Sequence, residues 1–131
     1  MKAEKGLPVL IVDDHALIRQ GIRSILEGYA DIQVVGEAGT GGEAIHMVTQ
    51  LCPRVVLMDI NMPQMNGIEA TAHITRRYPG TIIIGLSVAA TTENEKSMIQ
   101  AGAVRLIPKE KAGDLLYDAV QQALKSRDMA E

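Results

Sequence analysis

Short runs of apolar, β-branched residues alternate along the chain with amphipathic stretches about five times over. That alternation predicts parallel strands joined by helical crossovers, not a sandwich or a bundle. Strands are expected at Pro8 to Val12, Gln33 to Glu37, Arg54 to Met58, Thr81 to Leu86 and Arg105 to Ile107. Most are apolar throughout, as strands covered on both faces are. Helices are expected at His15 to Glu27, Gly42 to Leu51, Gly67 to Arg77, Thr92 to Ala101 and Ala112 to Lys125. In the last, Leu115, Leu116, Ala119, Val120, Ala123 and Leu124 make one apolar stripe. Tyr78-Pro79-Gly80 closes one helix, and Ala101-Gly102-Ala103 leads from another into the final strand. The polar end, Ser126 to Glu131, reads as a flexible tail, which leaves a core of about residues 7–125 in a single domain spanning 1–131.

Composition narrows the classes. At 131 residues and 47% hydrophobic, the chain buries a core without disulfides or metal staples. Cys52 has no internal partner, and its place beside an apolar run predicts a reduced, buried thiol, which suits the cytoplasm. No apolar run approaches the ~20 residues needed to cross a bilayer. Lys2 and Lys5 are not followed by a signal-peptide core, so neither a membrane nor secretion is expected. A net charge of −3 and only three aromatic residues, all Tyr, argue against direct nucleic-acid binding.

In an open α/β sheet, ligands bind outside the carboxyl ends of the strands, so the residues just after each apolar run carry the chemistry. The first run ends in Asp13 and Asp14, the third in Asp59, the fourth in Ser87, and the fifth leads through Pro108 to Lys109. Carboxylates crowded at one edge repel unless a cation joins them, and an all-oxygen set suits Mg²⁺ better than zinc or copper. Mg²⁺ held by a few carboxylates keeps positions for phosphoryl oxygens. Lys109 then supplies a point charge and Ser87 a hydroxyl donor, with Asp59 as the nucleophile.

Val12-Asp13-Asp14, Val56-Leu57-Met58-Asp59, Met62-Pro63, Asn66-Gly67, Leu86-Ser87 and Pro108-Lys109, in that order, resemble the motifs of the receiver domain of two-component response regulators. The resemblance covers nearly the whole chain. The segment Asp13 to Gly21, with Val34 to Ala38, is similar to the subfamily that usually carries a C-terminal helix-turn-helix. The resemblance implies a flavodoxin-like α/β fold, a doubly wound five-stranded parallel sheet in the order 2-1-3-4-5 with five helices. It implies that Asp59 accepts a phosphoryl group from the phosphohistidine of a sensor histidine kinase or histidine phosphotransfer protein. Asp14 and Asp59 would bind Mg²⁺, Asp13 would act largely through water, and the Asn61 backbone carbonyl would complete the protein ligands. Lys109 and Ser87 would hold phosphoryl oxygens, while Val88 and Ala89 would flank the path of attacking water. Signal would leave through the fourth helix, fifth strand and fifth helix, to a partner or in a homodimer. Leu106 departs from the pattern, which usually has Tyr or Phe there, and Arg105 stands where a small residue is common. Both departures favour an output that works by loop and helix displacement around Ser87.

Competing readings bear on the same residues. Gly36, Gly39, Gly41 and Gly42 fit no nucleotide fingerprint and read as a turn before a helix. His15, His46 and His73 lack metal-ligand spacing, and His15 reads as packing at a helix start. The alternatives to a receiver are a Mg²⁺-dependent phosphohydrolase with an aspartyl nucleophile, or a receiver-like interaction module that is never phosphorylated.

Overall fold

A computed structural model describes residues 6–130. Five parallel strands, β1 (Leu7–Val12), β2 (Ile32–Ala38), β3 (Val55–Asp59), β4 (Ile82–Ser87) and β5 (Arg105–Pro108), form one sheet in the order β2-β1-β3-β4-β5. Five helices connect and follow them: α1 (Ala16–Glu27), α2 (Gly41–Leu51), α3 (Gly67–Arg77), α4 (Thr92–Ala101) and α5 (Ala112–Ala130). This is the flavodoxin-like topology expected from the sequence.

The strand period of two divides the core into two layers. Val9, Ile11, Val55, Leu57, Ile82, Ile84 and Leu86 pack with Ile22 and Leu26 of α1 and Leu116 and Val120 of α5. Leu10, Val12, Val56, Met58 and Ile83 face the other way, against Ala44 and Val48 of α2, Ala70 and Ile74 of α3, and Met98 of α4. With every residue of β3 and β4 buried, the sheet centre has no polar position to spare until the strand ends.

Helix starts follow their capping chemistry. Thr40 accepts from the Glu43 N–H, Thr91 from the Asn94 N–H, and Asn66 forms a reciprocal capping box with Glu69. Asn66 therefore fixes where α3 begins, directly beneath the loop that follows Asp59. The approach is close: the Gly67 N–H donates to the Ile60 carbonyl at 2.7 Å, and a Cβ on Gly67 would lie 2.1 Å from the Asp59 carbonyl oxygen. Gly67→Ala is expected to push α3 off the strand end and destabilise the fold by about 1–3 kcal/mol. A urea midpoint equal to that of the parent would show that the loop yields freely.

Two expectations need correction. α5 does not end at Lys125 but continues through the polar segment to Ala130. There Arg127 donates to the Pro79 carbonyl at 3.0 Å and Asp128 meets Arg54 at 3.3 Å. Glu131 lies outside the described residues, as do residues 1–5. Cys52 is exposed, not buried, because it ends α2 in the left-handed conformation (φ 48°), which turns its side chain away from the sheet. At the amino-terminal edge of the sheet, Tyr29 and Tyr117 stack with ring centroids 3.9 Å apart and planes 8° from parallel. The Tyr117 hydroxyl donates to Asp31 at 2.6 Å, tying α5 to the turn before β2.

Candidate functional site

Strand register brings the chemical residues to one edge. Val12 pairs with Met58, so Asp13 and Asp59 emerge side by side. Asp59 pairs with Leu86 and Ser87 with Pro108, which sets Ser87 and Lys109 at the same carboxyl end. Lys109 opens a 3-10 turn, Lys109–Lys111, and its ammonium reaches back across the sheet edge. Lys109 Nζ lies 2.6 Å from Asp13 Oδ2 and 3.1 Å from Asp59 Oδ1. Asp13 is fully buried and Asp59 is 1% exposed.

Each carboxylate has its own electrostatic situation. Burial pushes the Asp59 carboxyl up to about 6; the hydrogen bond from Lys109 opposes that rise and the nearby Asp13 charge adds to it. Burial works against the Lys109 charge, but its hydrogen bonds to Asp13 and Asp59 outweigh this and raise its pKa. The Asn61 N–H donates to Asp59 Oδ1 at 3.2 Å, whereas the buried Asp59 Oδ2 has no hydrogen-bond partner. A buried carboxylate oxygen without a donor is costly, which fits a place for a cation or an incoming group.

The loop after β1 is braced from outside. Arg19 on α1 donates to the Asp13 carbonyl and, at 2.9 Å, to Glu37 on β2. Arg23, one turn later, donates to the other Glu37 oxygen at 2.7 Å. The Arg23 hydrogen bond holds the Glu37 carboxyl below the usual carboxylate range, with burial opposing it. The two arginines clamp α1 to β2 and fix the chain direction at Asp13. Arg19→Ala is expected to lower the stability of this loop, seen as faster amide exchange at Asp14 and His15 than in the parent while α3 amides stay unchanged; parent-like exchange at Asp14 and His15 would show that the clamp is idle.

Ser87 is fully buried, and its hydroxyl oxygen accepts the Ala89 N–H at 3.0 Å, which leaves its own proton available to donate. Asn94 donates to the Ala89 carbonyl at 2.7 Å, so the same loop is tied to the start of α4. Leu106 is buried against Gly85, where a Cβ would come within 2.9 Å of the Leu106 side chain and 2.8 Å of Met98. Where the sequence pattern called for a ring, a leucine fills space vacated by a glycine.

The expected residues therefore gather unevenly. Asp13, Asp14 and Asp59 come together, with one ligand atom from each, and one from His15, all within 4.8 Å of one another. Lys109 joins them. Asn61 stands at the rim with its N–H on Asp59, and Ser87 is at the edge but bonded to its own loop. Sequence reasoning undervalued His15, reading it as packing at a helix start, although its ring Nδ1 lies 3.2 Å from Asp13 Oδ1 and 3.1 Å from Asp14 Oδ1. It also missed the Arg19 and Arg23 clamp, which their one-turn spacing on α1 could have flagged. Leu17 (80% exposed) and Val88 (71%) form an apolar rim, with Ile18, at the mouth of an open groove that Asp14, His15 and Lys109 also line. Among the described residues, no helix is long and apolar enough to cross a membrane.

Known proteins share this arrangement of elements. The sequence profile of the response regulator receiver domain matches residues 9–121. The chain is 36% identical over 118 residues to the transcriptional regulatory protein DegU of Brevibacillus brevis, covering 90% of this chain and 50% of that protein. It is 37% identical over 123 residues to the transcriptional regulatory protein LiaR of Bacillus subtilis (strain 168), covering 94% and 58%. The chain thus spans about half the length of the curated relatives it matches. Among solved structures, a LuxR-family two-component response regulator from Aurantimonas sp. SI85-9A1 superposes with a TM-score of 0.88 at 30% identity, covering 93% of this chain and 87% of that one. The response regulator domain of Thermotoga maritima CheB gives 0.85 at 31% identity, covering 92% and 97%. With strand order, sheet-edge acids and profile in agreement, the chain belongs to the response regulator receiver domain family.

Proposed function

We propose that this chain is a phosphorylation-dependent switch in which Asp59 accepts a phosphoryl group from the phosphohistidine of a sensor histidine kinase or histidine phosphotransfer protein. The observation that carries this reading is the Lys109 ammonium bridging Asp13 and Asp59 at the carboxyl edge of the sheet, beside a buried Asp59 oxygen with no partner.

Asp13, Asp14, Asp59 and the Asn61 carbonyl would hold Mg²⁺, with Asp13 acting largely through water; the ion would offset charge on the phosphoryl oxygens. A carboxylate oxygen of Asp59 attacks phosphorus as the P–N bond to the donor imidazole breaks, and the electron pair leaves with that nitrogen. Lys109 shifts from a carboxylate to a phosphoryl oxygen, and Ser87 donates its hydroxyl proton to another. Drawing Ser87 inward pulls on Ala89 and, through Asn94, on the start of α4. The buried Leu106 leaves no ring to flip, so the α4-β5-α5 surface changes by displacement of this loop. The apolar rim of Leu17, Ile18 and Val88 supports docking of a donor over the mouth. The names of the curated relatives support gene regulation as the output.

Incubation with acetyl phosphate and Mg²⁺ should add one phosphoryl group per chain by intact mass. Turnover of small phosphate esters in excess of protein would favour a phosphohydrolase instead. Addition of beryllofluoride should move amide resonances in α4, β5 and α5; unchanged shifts there would sink the proposed output route.

A further inference from the structure

We propose that His15 is an additional metal ligand, giving this site a preference for a first-row transition metal such as Mn²⁺ over Mg²⁺. The inference rests on the acidic edge being a metal site, and deepens that reading.

His15 occupies the N-cap of α1, where Ser, Thr, Asp or Asn would serve the helix best, yet its side chain makes no capping hydrogen bond. Helix initiation therefore does not account for the ring. The backbone does: the extended N-cap conformation (φ −105°, ψ 114°), with the His15 N–H on Asp13 Oδ1 at 2.8 Å, folds the imidazole over the acids. Its Nδ1 lies within hydrogen-bond reach of both Asp13 and Asp14, and a ring nitrogen belongs to the same 4.8 Å cluster as an oxygen of Asp59.

A second observation is independent of the ring. Asp59, 1% exposed, keeps Oδ2 buried and without a partner. Asp13 Oδ2 and Asp14 Oδ1 are likewise buried without a hydrogen-bond partner, so each of the three acids leaves one such oxygen, with Asp59 Oδ2 at the end of β3. A cation at the cluster would meet them.

The ligand set then decides the cation. Mg²⁺ takes oxygen donors and keeps its waters, so an imidazole nitrogen adds little to its binding. For Mn²⁺ and the metals beyond it, a neutral imidazole is a good ligand and affinity for a mixed N and O site rises along the series. With its side chain 66% exposed, His15 can turn one ring nitrogen's lone pair to a metal without breaking core packing. With Asp13 acting through water, Asp14, Asp59, the Asn61 carbonyl and one imidazole nitrogen would fill four of about six positions, leaving that water and a phosphoryl oxygen the other two, so the nitrogen does not compete with phosphoryl transfer.

Electron spin-echo spectroscopy of the whole chain loaded with Mn²⁺ alone tests this directly. A ¹⁴N coupling from directly bound imidazole is expected, changing to the ¹⁵N pattern when only histidine is ¹⁵N-labelled, and disappearing in His15→Ala. His15→Asn, which supplies a good N-cap and so keeps the start of α1, should lose the coupling too. Both variants should bind Mn²⁺ about tenfold more weakly, with little change for Mg²⁺. Bound Mn²⁺ without histidine coupling, or coupling that survives in His15→Ala, would overturn the assignment while leaving the acidic site intact. Failure of the parent to bind Mn²⁺ at all would overturn both this inference and the metal-site reading beneath it.

Discussion

An Asp59→Asn protein is expected to take up no phosphoryl group and, without divalent metal, to be more stable than its parent at neutral pH. The first half follows from removing the nucleophile. The second follows from the folded-state carboxyl sitting at about 6, above the ordinary value of 3.8. A carboxyl raised on folding binds more protons in the native than in the unfolded chain between those values. Its stabilising contribution is therefore full below about pH 4 and lost as pH rises through about 6. At pH 7 the ionised Asp59 opposes folding, and the neutral amide relieves it while still accepting from Asn61 and Lys109. Allowing for partial access of water, the gain should be about 1–2 kcal/mol. It should fade on acidification towards pH 4 and shrink when Mg²⁺ stabilises the parent. Chemical denaturation in EDTA across that range reads it, and a variant no more stable than the parent at pH 7 would contradict the electrostatic picture.

Lys109→Ala should produce the opposite result, and a larger one. It leaves Asp13 and Asp59 buried side by side without the ammonium that lies 2.6 and 3.1 Å from them. Removing one partner of a buried ion pair costs about 3–5 kcal/mol, most of it the penalty of the charge left behind. Lys109→Met, which keeps the length of the stem, separates that penalty from lost packing and should cost nearly as much. Combining Lys109→Ala with Asp59→Asn should recover a large part of the loss, because the second change removes a stranded charge. Strictly additive effects of the two changes in the double variant would mean that Lys109 acts through packing alone.

These two residues also mark how far the sequence could be read. Strand ends were legible because each apolar run stops at a polar residue, and that alone placed Asp13, Asp59, Ser87 and Lys109 on one edge. The pattern does not say which groups pair before any ligand arrives. Lys109 was read as a phosphate holder, yet it rests on Asp13 and Asp59, and Ser87 spends its oxygen on Ala89. His15 was read as helix-start packing because no local spacing reveals that its backbone angles fold the ring over the acids. The end of α5 was set too early for a similar reason: Arg127 and Asp128 look like tail residues until Pro79 and Arg54, remote in sequence, give them partners. Cys52 was misjudged because burial was inferred from its neighbours, while a single left-handed residue turned it outward.

The face-to-face tyrosines at the foot of α5 have an optical consequence. With no Trp and no Phe, the near-ultraviolet absorption of the chain comes almost wholly from three Tyr rings, and two of those are the pair Tyr29 and Tyr117. Coupling between rings this close is expected to give a circular-dichroism signal that falls when α5 leaves the turn before β2. The molecule therefore carries its own label-free gauge of that contact, legible in a cuvette without any engineered chromophore.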